Sequence, residues 1–466
     1  MQEDHAIAVI DIGATNSRVV LMDADLKEIS SRKTATLHRP RPPFARIDHE
    51  NLVAFVTESL IALDAERPVD TIAISAFGAT VACLDAGGGL VFPIMDYLAE
   101  PPPEIAAGYA AIAPPFEEVF SLVSPSALTL GRQLYWLETA HPQDFARIRH
   151  VVPWSAFIGM ALGGAAVSEI SNLGVFTHLI DVRSGTWSSL VTRRGWERLF
   201  PARRHAWDVV GTFRAGDGRR LRGRGDILCG IHDSNANWLR YLAGRSGPFS
   251  LLSTGTFVIG FDSGADLGGL DPETDTFSFN DIFGRPVGCA RFYGGYEFDR
   301  ILAGARPDDA DIASIRQVIG DDVFALPSFS DTGGPVPNRG KRGRIVGAGP
   351  DTAERRASVA TLYYALMADR MLTNLRSSAE IIIDGPAARN PLLTGLIGAL
   401  RPGQPVLASD LAEGTTLGAG MLALMKGSGR LPELPSALHP CPTAAFPGLD
   451  DYRDRWNALI EKEILS

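Results

Sequence analysis

The sequence predicts an α/β protein of two domains, and three observations carry that prediction. A chain of 466 residues exceeds what one hydrophobic core serves, since single cores stop growing near about 250–300 residues. Apolar runs of strand length alternate with longer stretches of helical period along the chain. A short strand–turn–strand unit near the N-terminus also has a counterpart at the start of the second half. Composition agrees: 45% apolar and 21% charged residues describe an ordinary globular protein.

Ala6-Ile7-Ala8-Val9-Ile10 is a strand, stopped by Asp11-Ile12-Gly13-Ala14-Thr15-Asn16. Arg18-Val19-Val20-Leu21-Met22 follows and ends at Asp23-Ala24-Asp25, so the pair reads as a hairpin. A third strand over Glu28–Thr34 completes a meander. Thr71–Ser75 reads as a strand, Gly131–Thr139 and Pro142–Ile148 as helical, and Ile231–Tyr241 as a turn entering a helix. Phe249-Ser250-Leu251-Leu252 then leads into Ser253-Thr254-Gly255-Thr256 and on to Phe257–Asp262, repeating the first unit. Val359, Leu362, Tyr363, Leu366 and Met367 recur at helical spacing and predict an amphipathic helix. It feeds the strand Glu380–Ile383 and then Asp384-Gly385. Asn390 before Pro391 predicts a helix cap followed by proline at the first helical position. The stretch Asp331–Gly349 is rich in Gly, Pro and basic residues and reads as a long surface loop. A boundary at Leu242–Gly247 gives domains 1–245 and 246–466.

Charge and cysteine usage narrow the function classes. The chain has 44 Lys and Arg against 54 Asp and Glu, a net charge of −10. That balance speaks against a nucleic-acid backbone or an anionic membrane as partner. Cys83, Cys229, Cys289 and Cys441 lie far apart with no Cys-x-x-Cys, which fits neither a zinc site nor a disulfide framework. The acidic start Met1-Gln2-Glu3-Asp4-His5 lacks the pattern of a signal peptide, and no apolar stretch approaches membrane-spanning length. The expectation is a cytoplasmic protein.

Four segments are candidates for chemistry. In Asp11–Asn16, Gly13 lets the backbone approach a phosphate and turn N–H groups can point at the anion, while Thr15 and Asn16 add side-chain donors. Asp11 is a candidate magnesium ligand through water; the alternative is a hairpin with ordinary turn residues. Ser253-Thr254-Gly255-Thr256 has the same physics without a carboxylate. In Gly230-Ile231-His232-Asp233, the aspartate either faces a substrate hydroxyl or simply caps a helix. Asp384-Gly385-Pro386-Ala387-Ala388-Arg389-Asn390 reads as a flat shelf for a base, or as a plain strand-to-helix turn. Gly414-Thr415-Thr416-Leu417-Gly418-Ala419-Gly420 opens a helix whose small residues allow close packing.

In this order, these segments resemble the FGGY family of carbohydrate kinases over nearly the whole chain. The most specific matches are Asp11–Asn16, Gly230–Asp233, Ser253–Thr256 and Glu413-Gly414-Thr415-Thr416-Leu417-Gly418-Ala419. Ile180–Ser188 and Gly294-Gly295-Tyr296-Glu297-Phe298 support them. The resemblance implies two actin-like (ribonuclease H-like) domains with an interdomain cleft, sugar bound mainly by the first and ATP by the second. It implies Asp233 as general base, Asp11 organising Mg2+, and Gly13, Thr15 and Asn16 with Gly255 and Thr256 around the phosphates. Gly385 and Asn390 would flank adenine. Phe77, Gly78, Asp96, His232 and Asp233 would meet the sugar. The histidine before the base is similar to the rhamnulose and fuculose kinase branch.

Three departures stand out. Pro386 replaces a second glycine and removes an N–H, and Ala14 replaces a common threonine. Ala76-Phe77-Gly78-Ala79-Thr80 replaces the loop patterns of glycerol and xylulose kinases, which argues against both substrates. The reading is phosphoryl transfer from ATP to a small ketose, deoxyketose or polyol, by a protein compatible with a homodimer. The alternatives are an actin-like ATPase and a catalytically silent sugar sensor.

Overall fold

The computed structural model describes residues 5–410, 414–434, 438–442 and 444–464. The start Met1-Gln2-Glu3-Asp4 and Glu413 of the Glu413–Ala419 match lie outside the described residues. Internal contacts divide the chain into two units. The first holds the chain up to Arg245, together with Phe279–Pro286 and the stretch from Gly414 to Leu434. The single cut after 245 therefore coincides with the end of a continuous first segment, while two later segments return to that unit. Neither carries a shift in composition that would announce the return.

In the first unit, β1 (Ala6–Ile12), β2 (Asn16–Met22) and β3 (Glu28–Ala35) form the expected antiparallel meander. The strand Val69–Ala76 lies parallel on the other side of β1 and carries Asp226–Leu228 and Ile231–His232, also parallel. The β1 residues Ala8, Val9, Ile10 and Ile12 are all fully buried, as a central strand covered on both faces requires. The helix Asp233–Leu242 follows directly on Ile231–His232.

The second unit repeats this order. Phe249–Thr254 is antiparallel to Val258–Asp262, which is antiparallel to Pro286–Phe292. Glu380–Asp384 lies parallel to Phe249–Thr254 on its other side, and Val406–Ser409 parallel beyond it. The likeness between two short hairpins thus extends to five strands in one topology, with a glycine turn after the first strand in each unit.

Two expectations change. The helix predicted from Val359 to Met367 runs over Ala353–Asn374, and Ala360, Thr361, Tyr364, Ala365 and Ala368 are buried as well. Helices Gly294–Leu302, Ile312–Gly320 and Pro391–Leu400 all pack on it, so it is central rather than amphipathic. The Asp331–Gly349 segment is not simply a surface loop. Arg344–Val346 pairs with Phe324–Leu326, Val336 is fully buried, and Arg339 is 2% exposed. Arg339 donates from Nε to the Pro327 carbonyl at 2.9 Å and pairs with Glu463 at 2.6 Å. Basic composition misled here because a buried arginine with partners reads like an exposed one.

In the first unit the returning helix Gly414–Met425 lies on helix Asp233–Leu242. A Cβ at Gly418 would fall 1.7 Å from the Ala236 carbonyl oxygen, so only glycine permits the approach. Gly418→Ala is expected to destabilise this unit by about 1–3 kcal/mol, the usual cost of overpacking. A thermal melt reads it; an unchanged midpoint would mean that the two helices do not touch there. Among the described residues no helix is long and apolar enough to cross a membrane.

Candidate active site

The first glycine turn is held from behind. Gly13 N–H donates to the Asn16 carbonyl at 3.0 Å, and a Cβ on Gly13 would lie 2.9 Å from that oxygen. Thr36 Oγ1 donates to the Gly13 carbonyl at 2.7 Å, and Thr36 N–H to the Thr15 carbonyl at 2.9 Å. His38 Nε2 sits 2.8 Å from the carbonyl between them, that of Ala14. Three successive carbonyls are therefore engaged by residues 36–38. The N–H groups of Ala14 and Thr15 have no acceptor among the described residues, the arrangement an anion nest needs.

This turn shares a pocket of about 300 Å³ with two carboxylates, Asp11 and Asp233, and with Asn16, Arg18, Lys33 and Thr415. Asp11 is the penultimate residue of β1, and its Oδ2 accepts from Arg18 Nε at 3.2 Å and from Thr416 Oγ1 at 3.0 Å. Burial raises the Asp11 pKa against the opposing pull of Arg18 and Thr416, and the charge of Asp233 pushes the same way as burial. The two carboxylates sense each other across the pocket. Among the described residues no group of three or more His, Cys, Asp or Glu is gathered to hold a metal alone. A magnesium ion shared with a polyphosphate needs no such cage, because it keeps waters and takes one or two carboxylates; the donor chemistry at Asp11 fits it.

Asp233 is the first helical residue rather than the cap. His232 occupies the cap position and makes no side-chain cap bond. Asp233 Oδ1 accepts from the adjacent Ser234 N–H at 2.6 Å, and its side chain is 31% exposed. A capping aspartate would instead bind N–H groups two or three residues on. The carboxylate is thus placed at a helix N-terminus, partly open, on the pocket wall.

His232 is buried, and burial lowers its pKa despite the nearby Asp233, so it is neutral at pH 7. Its Nε2 lies 3.5 Å from Asp233 Oδ1, beyond an ordinary hydrogen bond. Gly78 packs against the Cδ2–Nε2 edge of the imidazole: a Cβ there would sit 2.5 Å from both atoms. Phe77 is buried, edge-on to Tyr97 at 5.5 Å and tilted to Trp154 at 6.3 Å. Tyr97 has its pKa raised by burial and then by Asp96 and Asp233, which places both acids near its ring. Asp96 is buried with both oxygens engaged, by His38 Nδ1 at 2.6 Å and by Leu98 N–H at 2.9 Å. Among the described residues, His232 Nδ1, Ser75 Oγ, Thr80 Oγ1 and Trp154 Nε1 are buried with no protein partner. Ser75 pairs with Asp11 on one side of its strand and Ile231 on the other. Buried polar atoms are rarely left bare, so these four suit a polar ligand.

In the second unit, the turn Gly255-Thr256 is also held by its carbonyls. Gly295 N–H donates to Gly255 O at 3.1 Å and Tyr296 N–H to Thr256 O at 3.4 Å. This gives the Gly294–Phe298 segment its role, and a Cβ on Gly295 would lie 2.4 Å from Gly255 O. Glu297 fixes that helix as a buried acceptor for Ser330 Oγ at 2.5 Å, Ser328 Oγ and Tyr363 OH. Beside the turn is a cavity of about 610 Å³ whose walls include Thr254, Gly255, Thr256, Tyr296, Asp299, Pro386 and Asn390. Ligand cavities commonly span about 300–1,000 Å³. Asn390 caps its helix, accepting from Leu393 N–H at 3.0 Å, as expected. Pro386 opens the short helix Pro386–Arg389, a position where a missing N–H costs nothing.

The structure thus brings Asp11, Gly13, Asn16 and Asp233 to one pocket, and Gly255, Thr256 and Asn390 to another with Pro386. Gly385 lies against Thr254 on the wall of the second. Thr15 sits in the first turn without lining its pocket. Sequence reasoning missed Arg18, Lys33 and His38, and it read Thr416 only as part of a close-packing helix start, without its bond to Asp11. Arg18 and Lys33 are directly opposite in the β2–β3 ladder, so two cations flanking a glycine turn on one meander face were the available signal. A third hollow, beside Arg39, Arg41 and Arg46 with Asp48 and Glu50, includes none of the residues singled out.

Two family models match this chain. Residues 6–215 match the FGGY family of carbohydrate kinases, N-terminal domain, and residues 246–431 match carbohydrate kinase FGGY, C-terminal domain. An L-fuculokinase from Salmonella typhi is 26% identical over 274 residues, spanning 56% of this chain and 56% of that relative. A carbohydrate kinase from Novosphingobium aromaticivorans superposes with a TM-score of 0.88 at 28% identity, covering 99% of both chains. A xylulose kinase from Lactobacillus acidophilus reaches 0.80 at 15% identity, covering 99% of this chain and 98% of its own; this last likeness speaks for the fold alone. The fold is the actin-like two-domain α/β arrangement.

Proposed function

This chain belongs to the FGGY family of carbohydrate kinases, and from that premise we propose that it transfers the ATP γ-phosphoryl group to a hydroxyl of a small ketose, deoxyketose or polyol. The observation that carries the reading is Asp233: a half-buried carboxylate, not tied up as a helix cap, on the wall of the pocket that holds the first glycine turn and Asp11.

In this mechanism the substrate oxygen bonds to the γ-phosphorus as the bond to the β–γ bridging oxygen breaks, and Asp233 takes the hydroxyl proton. Transfer of this kind depends on positioning and charge stabilisation more than on covalent help. The N–H groups of Ala14 and Thr15, with Arg18 and Lys33, are suited to offset phosphate charge at the pocket of the first unit, and the Gly255-Thr256 turn lines the separate cavity of the second. Magnesium, held by Asp11 through water, would supply further neutralisation of the β- and γ-phosphates. Neutral His232 supports the role of Asp233, because an imidazolium would bind the carboxylate as an ion pair and compete with the substrate hydroxyl. Phe77, Gly78 and Asp96 frame the sugar side. All four cysteines are free thiols, which supports a reducing, cytoplasmic setting.

The test is ADP release, measured with a coupled assay over a panel of ketoses, deoxyketoses and polyols. Deoxyketoses come first because the fuculokinase likeness and the histidine before the base both lean that way. One panel member is expected to raise turnover well above the basal rate. A folded, ATP-binding protein that no sugar stimulates would end this reading in favour of an ATPase or a silent sensor.

A further inference from the structure

We propose that His38 is a positioning residue that works as an imidazolium, clamping the first glycine turn to the Asp96 loop; the proposal rests on the kinase reading above. His38 lies in the two-residue strand His38–Arg39, just after β3. One ring nitrogen, Nδ1, is 2.6 Å from Asp96 Oδ2, and the other, Nε2, is 2.8 Å from the Ala14 carbonyl oxygen. A carbonyl oxygen only accepts, and so does a carboxylate. A neutral imidazole carries one N–H and one lone pair, so one of these two contacts would set a lone pair against an acceptor. Only the doubly protonated ring satisfies both.

The two contacts join the parts of the site that need a common register. Ala14 sits between Gly13 and Thr15, whose carbonyls Thr36 already holds. His38 completes that row and fixes the middle peptide of the phosphate turn. At its other end it orients Asp96, the neighbour of Tyr97, which packs on Phe77. The charges around the ring are few. The glycine turn offers only carbonyl oxygen, and the 93–97 loop offers Asp96 with the Tyr97 phenol beside it. In the ladder with Arg46–Ile47, His38 pairs with Ile47 and Arg39 with Arg46. Alternation sends both arginines to the opposite face, where Arg39 binds Asp48 at 2.8 Å. Among the described residues, Asp96 is thus the formal charge in contact with the ring.

Burial by itself would lower the His38 pKa, but the Ala14 carbonyl and Asp96 outweigh it and the net shift is upward. The sign follows: the clamp is complete below the ordinary histidine value of 6.5 and is lost as pH rises through the higher folded value. Turnover loses an ordered phosphate turn over that range.

Long-range proton–nitrogen NMR of the full-length protein without ligands reads the charge directly. At pH 6.5 most His38 rings are expected to carry protons on both nitrogens, the midpoint lying above the ordinary histidine value; a neutral tautomer at that pH overturns the proposal. The pH profile of kcat/KM is the second readout. The wild type is expected to lose activity on the alkaline side at the NMR midpoint. His38→Gln, which cannot carry the charge, is expected to fall about tenfold or more at pH 6.5, as for a lost charge-assisted hydrogen bond, and to lack that alkaline limb. A variant that folds and keeps the limb overturns the proposal. Failure with every sugar would overturn the kinase reading instead, since the spectra report on His38 without turnover.

Discussion

Asp233→Asn is expected to lower kcat for sugar phosphorylation by about a hundred- to ten-thousand-fold, the range for loss of a positioned base, while leaving ATP affinity and thermal stability close to wild type. The asparagine keeps the size of the side chain and an oxygen for the Ser234 N–H, which Asp233 Oδ1 now accepts at 2.6 Å. It cannot take a proton. Helix Asp233–Leu242 should survive because its cap position belongs to His232, and losing an N1 carboxylate forfeits only a dipole interaction of about 0.3–1 kcal/mol. The comparison separates two roles: a merely structural aspartate would show itself in the melting curve and not in kcat. Removing a negative charge that Asp11 senses should also lower the Asp11 pKa, so that Asp11 stays ionised to lower pH in the variant. Normal phosphorylation by Asp233→Asn would remove Asp233 from the mechanism.

The fold was legible wherever local pattern decides it. Fully apolar Ala6–Ile10 could only be an interior strand, and the glycine-bearing bends at Gly13 and Gly255 marked where each unit turns after its first strand. Asn390 before Pro391 gave a cap that the Leu393 N–H contact realises. What stayed hidden depends on contacts distant in sequence. Nothing near His38 announces that Ala14 and Asp96 converge on one imidazole, and nothing near Arg18 announces Thr416. Glu297 looked like part of a motif, whereas its carboxylate gathers Ser328, Ser330 and Tyr363 and so holds the helix that braces the second turn. The helix around Val359–Met367 showed one apolar stripe, but small residues such as Ala360 and Ala365 let neighbours close over its other sides. Alanine is silent in a hydrophobic pattern, so a central helix looked half-exposed.

The second large effect is expected at Gly385. Its φ of 85° and ψ of −159° lie in a region that is essentially glycine's alone. A Cβ there would stand 2.1 Å from the Thr254 carbonyl oxygen. Gly385→Ala therefore combines backbone strain of about 1–3 kcal/mol with a clash against backbone, which has no rotamer to escape into. The strand end Thr254 is tied to this corner twice, since its hydroxyl donates to the Asp384 carbonyl and accepts from Ala387 N–H at 3.1 Å. Relief of the clash must pull Thr254 away, and Gly255 and Thr256 follow it directly. Both readouts should move together: a lower melting temperature and adenine-nucleotide affinity weakened roughly tenfold or more, a factor of ten being about 1.4 kcal/mol. Pro386→Gly is the informative control, because Pro386 starts a short helix where no N–H is called for. Restoring the N–H should leave nucleotide affinity unchanged and cost at most about 0.4–1 kcal/mol through a more flexible unfolded chain. If Gly385→Ala bound nucleotide like the wild type, the second turn would not be a nucleotide contact. If Pro386→Gly bound it markedly tighter, the missing N–H would be a real handicap rather than a neutral departure.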